Sequence, residues 1–316
     1  MRKPLVVLTG PTAVGKTSLS IQLAKAIGGE IISADSMQVY IGMDIGSAKI
    51  KLSEMDGVKH HLIDILHPED EFNVMLFKQK CNKAMEEIYA AGHIPILTGG
   101  TGFYIQAVLY DIDFTEEKDS TTRHRLEAVA MEEGGAERLY EMLTKIDPES
   151  AKIIHVNNVK RVIRALEFYE LNGTPISKHN DKERKKESPY NSAYFVLNDE
   201  RELLYHRIDE RVDRMFEEGL IDEVIGLKEK GYHRNMVSMQ GLGYKEVLDY
   251  LDGKISLEEA VYLIKRDTRH FAKRQITWFK REKDVIWVDK PKFHYEDSSM
   301  LEYIQQKLKD RGIIDR

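Results

Sequence analysis

Gly10-Pro11-Thr12-Ala13-Val14-Gly15-Lys16-Thr17 follows directly on the apolar run Pro4-Leu5-Val6-Val7-Leu8 and opens a helix-like stretch. The spacing G-x-x-x-x-G-K-T between a strand and a helix is that of a phosphate-binding loop. Glycines take backbone angles closed to other residues, so successive N–H groups turn inward and cradle phosphate oxygens at the positive end of the next helix. Lys16 then reaches the terminal phosphate, and Thr17 ligates Mg²⁺. The loop leaves open whether its phosphate is substrate, product or leaving group.

Outward from the loop, strand and helix alternate. Pro4 to Thr9 reads as a strand, followed by a helix to about Ala26, strands at Ile31 to Ala34 and His61 to Ile65, a helix from Val74 to Ala91, a strand at Ile94 to Thr98 and a helix from Gly102. Continuous apolar strands in β-α units predict an α/β fold of the P-loop NTPase type, a parallel sheet with helices on both faces. From Asp113 to Ser188 only helical periodicity is present, broken at Gly134-Gly135, Asp147-Pro148 and Gly173-Thr174-Pro175. The pattern predicts an all-helical insertion over 113–188 in a core made of 1–112 and 189–316. The charged stretch Lys178 to Glu187 reads as a mobile loop whose basic residues touch RNA or face solvent. Strands return at Ser192 to Leu197 and Val285 to Val288, and no internal repeat is present.

A chain of 316 residues with 42% hydrophobic content can bury a large core, yet no apolar run is long enough to span a bilayer, so no membrane association is expected. Met1-Arg2-Lys3 leads at once into a core strand without a signal pattern. Cys81 is the single cysteine, which excludes an internal disulfide and a cysteine-built zinc site; it is expected to be inert and partly buried on a helix. Together these features predict a cytoplasmic protein. The net charge of −6 argues against nucleic-acid binding only if charge is evenly spread. Thr268 to Arg281 contains Arg269, Lys273, Arg274, Lys280 and Arg281 and no acid. On a helix Arg269, Lys273 and Lys280 share a side, leaving Phe271, Ile276 and Trp278 for packing. Such a segment is either a solvated amphipathic helix or a local face that holds phosphates.

Most nucleotide-hydrolysing P-loop proteins carry an aspartate at the end of a second apolar strand, but Ile94 to Thr98 runs into Gly99-Gly100-Thr101-Gly102. The acid stands instead in Ile31-Ile32-Ser33-Ala34-Asp35-Ser36-Met37-Gln38. At a strand's carboxyl end beside the phosphate loop, Asp35 can be a metal ligand, a base or a helix N-cap. His60, His61, Asp64 and His67 do not read as a metal site: adjacent strand residues face opposite ways, and Mg²⁺ prefers oxygen ligands. Trp278 and Trp287 read as packing residues.

GPTAVGKT is followed in order by ADSMQVY at Ala34 to Tyr40, GSAK at Gly46 to Lys49, HHLID at His60 to Asp64, GGTGFY at Gly99 to Tyr104, RVIRALE at Arg161 to Glu167, GLGYKE at Gly241 to Glu246 and TRHFAKRQITWFKR at Thr268 to Arg281. This ordered set resembles the bacterial tRNA dimethylallyltransferases, which prenylate the adenosine 3′ of the anticodon. The likeness runs from the first strand to Arg281; Phe103 stands where the family usually has leucine. The resemblance implies that Gly10 to Thr17 hold the diphosphate of dimethylallyl diphosphate, that no nucleoside triphosphate is consumed, and that Mg²⁺ binds at Thr17. It implies a diphosphate contact for Arg211, otherwise a surface ion-pair residue, and the general base for Asp35.

An anticodon-loop adenosine reaches such a site only when flipped from its stack. The resemblance assigns the receiving slot to Asp35, Ser36, Met37 and Gln38, and an RNA contact near the reacting base to Thr101, otherwise a helix-start cap. It implies further tRNA contacts at Arg123, at Val159, Lys160, Arg161, Val162 and Ile163, and at Gln240, Gly241, Leu242, Gly243, Tyr244 and Lys245. Without it, these read as exposed helix charges and a helix-entry turn. The expected partners are the tRNA anticodon stem-loop and dimethylallyl diphosphate, with no obligate protein partner. Competing readings are a small-molecule kinase with a helical lid, prenyl transfer to free adenine nucleotides, and an RNA-binding protein with a nucleotide switch.

Overall fold

The computed structural model describes residues 2–114 and 120–315. Met1 and the part of the predicted helical span at 115–119 lie outside them. The chain divides into two compact units, Met1–Leu109 with Ser188–Arg316, and Tyr110–Glu187. In chain order the elements are β1 (Pro4–Thr9), α1 (Lys16–Ile27), β2 (Gly29–Ala34), β3 (His60–His61), α2 (Val74–Ala90), β4 (Ile94–Gly99) and α3 (Gly102–Leu109). The second unit then supplies α4 (Ser120–Met131), α5 (Gly135–Ile146), α6 (Pro148–Ile153), α7 (Val159–Asn172) and α8 (Ile176–Arg184). The first unit resumes with β5 (Asn191–Asn198), α9 (Arg201–Glu217), α10 (Leu220–Glu229), α11 (Tyr244–Leu251), α12 (Leu257–Phe279), β6 (Val285–Asp289) and α13 (Asp297–Asp310).

The sheet is parallel throughout, in the order β3-β2-β4-β1-β5-β6. Alternate residues of a strand face opposite sides, so a strand covered on both faces must be apolar at every position. Val6 and Leu8 accordingly pack with Leu19 and Leu23 of α1, Leu204 and Ile208 of α9, and Ile304 and Leu308 of α13. Leu5 and Val7 are buried on the other side, where α2 packs against β2 and β4. Gly99 pairs in register with both Thr9 and Ala34. The carboxyl ends of β1, β4 and β2 are therefore level, and a Cβ at Gly99 would stand 2.3 Å from the Ala34 carbonyl oxygen.

The expected strand over His61 to Ile65 is only two residues long. Leu62 and Asp64 take left-handed φ angles of 63° and 52°, which end strand pairing with β2. The chain turns instead toward residues 38–40: Asp64 N–H donates to the Gln38 carbonyl, and Ile65 and Leu66 N–H to that of Val39. The stretch Lys178 to Glu187, expected as a loop, is helical over most of its length. His179 packs on the Phe168 ring of α7 at 5.0 Å, while buried Glu183 accepts from the Asp113 amide and pairs with Lys186. Cys81 is fully rather than partly buried, and burial pushes its thiol pKa far up.

Within the helical unit, Leu126, Leu139, Leu143, Val162 and Leu166 form the core. Asp147 caps α6 and ties it to α8, accepting from the amides and hydroxyls of Ser150 and Ser177. Burial by itself raises this carboxyl's pKa, but the Ser177 and Ser150 bonds outweigh it and hold the group below its ordinary value.

The segment between β2 and β3 is fixed by two charged side chains. Lys49 Nζ is buried and donates to the Tyr40 carbonyl at 2.6 Å, to Asp44 at 2.6 Å and to Asp64. Glu223 of α10 accepts from the successive amides of Asp44, Ile45 and Gly46 at 2.9, 2.7 and 3.1 Å, and from the Tyr244 hydroxyl at 2.8 Å. Glu223→Ala strands those donors and is expected to cost about 2–4 kcal/mol in urea denaturation, whereas Glu223→Gln keeps one acceptor oxygen and should cost less.

Candidate functional site

Both glycines of the phosphate loop use angles that side chains disfavour: Gly10 has φ 152° and Gly15 φ 96°, with Ala13 between them left-handed at 61°. The turn brings Lys16 back over its own loop, where Nζ donates to the carbonyls of Gly10 at 3.1 Å and Pro11 at 2.8 Å. Thr12 is held from two sides. Its amide donates to Gln275 Oε1 of α12 at 2.9 Å, and its hydroxyl accepts from Arg211 of α9 at 3.4 Å. Lys290, beyond β6, donates to the Val14 carbonyl at 3.3 Å. Of the loop side chains, that of Val14 lies in the core, so its part at the phosphate is through backbone.

Lys16, Thr17 and Arg211 line an open cavity of about 1390 Å³. Burial, joined by the charge of Arg211, lowers the Lys16 pKa to about 7, while Asp35 acts in the opposite direction. Burial likewise lowers the Arg211 pKa, again opposed by Asp35. Asp35, one residue past β2, therefore shares a field with both cations. Its Oδ1 accepts from the amides of Met37 at 2.8 Å and Gln38 at 3.4 Å, but these bonds cap a turn: no helix begins here, so Asp35 is not the helix N-cap that its position allowed. Among the described residues Oδ2 has no hydrogen bond. Thr101, just past β4, donates its amide to the Ala34 carbonyl at 3.3 Å, and its own carbonyl starts α3. The strand ends thus gather the loop, Asp35 and Thr101 at one edge of the sheet.

Thr17 is exposed at the cavity next to Lys16. One hydroxyl at a helix start fits Mg²⁺ held otherwise by phosphate oxygens and water, since this ion keeps part of its hydration shell. Among the described residues no cluster of His, Cys, Asp and Glu side chains is arranged to hold a metal. His61 and His93 each lie 2.6 Å from a Glu30 oxygen, and His60 Nδ1 lies 2.9 Å from the Val58 carbonyl.

The residues expected to touch RNA divide by accessibility. Ser36, Met37 and Gln38 are half-buried in the turn after Asp35; the Gln38 amide accepts from Ser33 at 3.0 Å and donates to the Ala48 carbonyl at 3.4 Å. Gln240 is exposed and Gly241, Leu242 and Lys245 partly so, but Tyr244 is fully buried. Tyr244 packs against Gly46, where a Cβ would stand 2.6 Å from its ring, so it supports the fold instead of facing a partner. Gly243 is buried too, its amide donating to Glu246 at 2.9 Å. In the helical unit Lys160 and Arg161 are exposed and Val159 half-buried, whereas Val162 and Ile163 belong to the core and offer no side chain to RNA. Arg123 pairs with buried Glu167.

Along α12, His270, Lys273, Arg274, Thr277 and Arg281 line an open groove beside Trp278. Arg269 does not share it, because both carboxylate oxygens of Asp209 hold its Nη1 at 2.5 and 2.7 Å. Two residues of this helix face inward, Gln275, for which the sequence suggests no role, and Trp278, which packs as expected. Gln275 reaches the phosphate loop, and Trp278 fills the space over Gly102, where a Cβ would meet its ring at 2.2 Å. The available signal was an uncharged, hydrogen-bonding Gln in an otherwise basic segment.

Residues 38–282 match the family described as IPP transferase. The chain is 60% identical over 313 residues to the tRNA dimethylallyltransferase of Lachnoclostridium phytofermentans, covering 99% of each. It is similar to the full-length tRNA isopentenylpyrophosphate transferase of Bacillus halodurans, with TM-score 0.74 and 45% identity over 99% of this chain and 98% of that one. A eukaryotic dimethylallyltransferase acting on tRNA matches with TM-score 0.80 and 32% identity over 91% of this chain and 74% of that one. With its sheet order, its phosphate loop and these matches along nearly its whole length, the chain belongs to the IPP transferase family.

Proposed function

We propose that this protein transfers the dimethylallyl group of dimethylallyl diphosphate to the exocyclic amine of the adenosine immediately 3′ of a tRNA anticodon, releasing diphosphate. The observation that carries the chemistry is the convergence of Lys16, Arg211 and Asp35 at the carboxyl edge of the sheet, two cations and a carboxylate in one field. The loop amides, Lys16 and Arg211 bind the diphosphate and stabilise charge as the allylic C–O bond breaks. The Thr17 hydroxyl would hold Mg²⁺, which when bound would supply further positive charge at the leaving group. An adenine amine is a poor nucleophile because its lone pair is delocalised into the ring, so its proton must leave as the C–N bond forms. Oδ2 of Asp35 accepts that proton while Oδ1 stays fixed by the Met37 and Gln38 amides.

The half-buried turn at Ser36 to Gln38 receives the flipped base, and the Gln38 amide, oriented by one bond to its oxygen and one from its nitrogen, reads an adenine edge with its second N–H and remaining lone pair. Lys273, Arg274 and Arg281 on the α12 groove, and Lys160 and Arg161 on the exposed side of the helical unit, meet phosphates. The helical unit is accordingly an RNA-contacting insertion. Among the described residues no helix is long and apolar enough to cross a membrane, and the substrate tRNA makes the cytoplasm the working compartment.

Labelled dimethylallyl diphosphate incubated with unmodified tRNA and Mg²⁺ tests the proposal, with AMP as competing acceptor. Label in the anticodon loop supports it; label in AMP transfers the acceptor role to free nucleotides, and ATP turnover without label returns the loop to kinase or switch duty. Asp35→Ala is expected to fold and to bind both substrates, but to lose about 10²–10⁴-fold in single-turnover rate. Unchanged chemistry in that variant removes Asp35 as the base.

Lys16 adds a pH dependence whose sign follows from linkage. An anion in the loop raises a lysine pKa that stands at about 7 in the free protein, so binding above that pH takes up a proton. The Lys16 contribution to diphosphate affinity is full below about pH 7 and falls by up to about tenfold per unit above it, until the pKa of the complex is reached. Calorimetry near about pH 8 in buffers of different ionisation enthalpy should show net proton uptake, because a phosphate ester with a second pKa of about 6 is already ionised there. Lys16→Met should abolish the uptake.

A further inference from the structure

We infer that Gln275 is a positioning residue, its side-chain amide fixing the spacing between the loop that holds the leaving group and the turn that faces the acceptor. Gln275 lies four residues before the end of α12 and is 6% exposed, while its neighbours Lys273 and Arg274 face outward. Its Oε1 accepts from the Thr12 amide at 2.9 Å, and its Nε2 donates to the Gly100 carbonyl at 3.0 Å. Those two backbone groups belong to different turns, one after β1 and one after β4. Reversing the amide would set its NH₂ against the Thr12 N–H and its oxygen against the Gly100 carbonyl, so the partners dictate its orientation.

Both ends of this bridge lead to the reacting groups. Thr12 is also the residue whose hydroxyl accepts from Arg211, and Gly100 precedes Thr101. The amide lies directly over Gly100, where a Cβ would stand 2.1 Å from Gln275 Nε2. One amide, carried by a long helix, therefore ties the phosphate loop to the Gly100–Thr101 turn beyond Thr9 and Gly99, where the pairing of β1 with β4 ends. Attack by an amine on an allylic carbon depends on the distance and line between nucleophile and leaving group, and a small misplacement costs rate more than binding. The inference rests on the transferase reading proposed above.

The test uses Gln275→Met, which keeps the shape and loses both hydrogen bonds, and Gln275→Glu, which as a carboxylate keeps the Thr12 bond and repels the Gly100 carbonyl. Protonated, the glutamic acid again donates to Gly100. Diphosphate affinity, the KM for dimethylallyl diphosphate, single-turnover transfer to tRNA and thermal unfolding are measured for each. The expected result is a Met variant with KM and affinity within about threefold of wild type and a transfer rate reduced about 10–100-fold. In the Glu variant the rate relative to wild type should recover as pH is lowered through the carboxyl pKa. A Met variant at wild-type rate, or one that loses only thermal stability while its folded fraction transfers normally, overturns the inference. So does a Glu variant whose relative rate is flat with pH, and this comparison stands alone should the Met variant fail to fold. Wild-type protein that puts no label into tRNA sinks the transferase reading instead, before any variant is compared.

Discussion

Three parallel strands end level with one another, and the site exists because nothing intrudes between those ends. Gly99 sits between Thr9 and Ala34, bonded through its carbonyl to the Thr9 hydroxyl at 2.5 Å, with the Ala34 carbonyl where a Cβ would go. Any side chain there would push β4 from β2 and separate Asp35 from the phosphate loop. Strand order adds the direction. The chain leaves β1 for β2 on one side of the sheet and later resumes at β5 on the other, so the crevice beside β1 opens where the order reverses, the place where open parallel sheets bind ligands.

Charge in that crevice is balanced within the protein. Two cations held partly out of water repel each other, and burial drives Lys16 toward about 7. Asp35 works against both effects and is itself kept in place by backbone amides, so it does not need a cation as a permanent partner. In the proposed reaction an incoming diphosphate would bring the negative charge that this arrangement favours, and would strengthen the protonated state of Lys16 as it binds. In the proposed reaction, leaving-group binding and proton acceptance fall to opposite charges on different strand ends. The separation matters because a carboxylate inside the phosphate cradle would repel the diphosphate, whereas at the neighbouring strand end it can face an amine instead.

The sheet was legible in the sequence because its strands are buried on both faces and read as unbroken apolar runs, and the loop because its spacing encodes a conformation. Asp35 was legible as a position, one residue past a strand, although its turn-capping bonds emerge only in three dimensions. What escaped depends on partners distant in sequence. The run after His61 looks like a strand until Lys49 draws Asp64 and the chain pairs with residues 38–40. Lys178 to Glu187 looks like a loop by composition, but Phe168 and Asp113 give two of its residues, His179 and Glu183, partners that favour a helix. Arg269 belongs by spacing to the basic face, and Asp209, sixty positions away, takes it off.

The same dependence separates residues that do chemistry from residues that hold it. Within GSAK and GLGYKE, Lys49 and Tyr244 are charged or polar and look available, yet both are buried and spend their polar atoms on the protein. Their partners, Asp44, Asp64 and Glu223, fix one wall of the cavity that the phosphate loop opens into. Gln275 does for the turns after β1 and β4 what Glu223 does for this wall, with a neutral amide where the other uses a carboxylate. The difference follows from what each must satisfy. Glu223 faces a row of N–H donors and can be an anion, whereas Gln275 faces one donor and one acceptor, and only a group offering both can bridge them beside two cations without adding charge to the site.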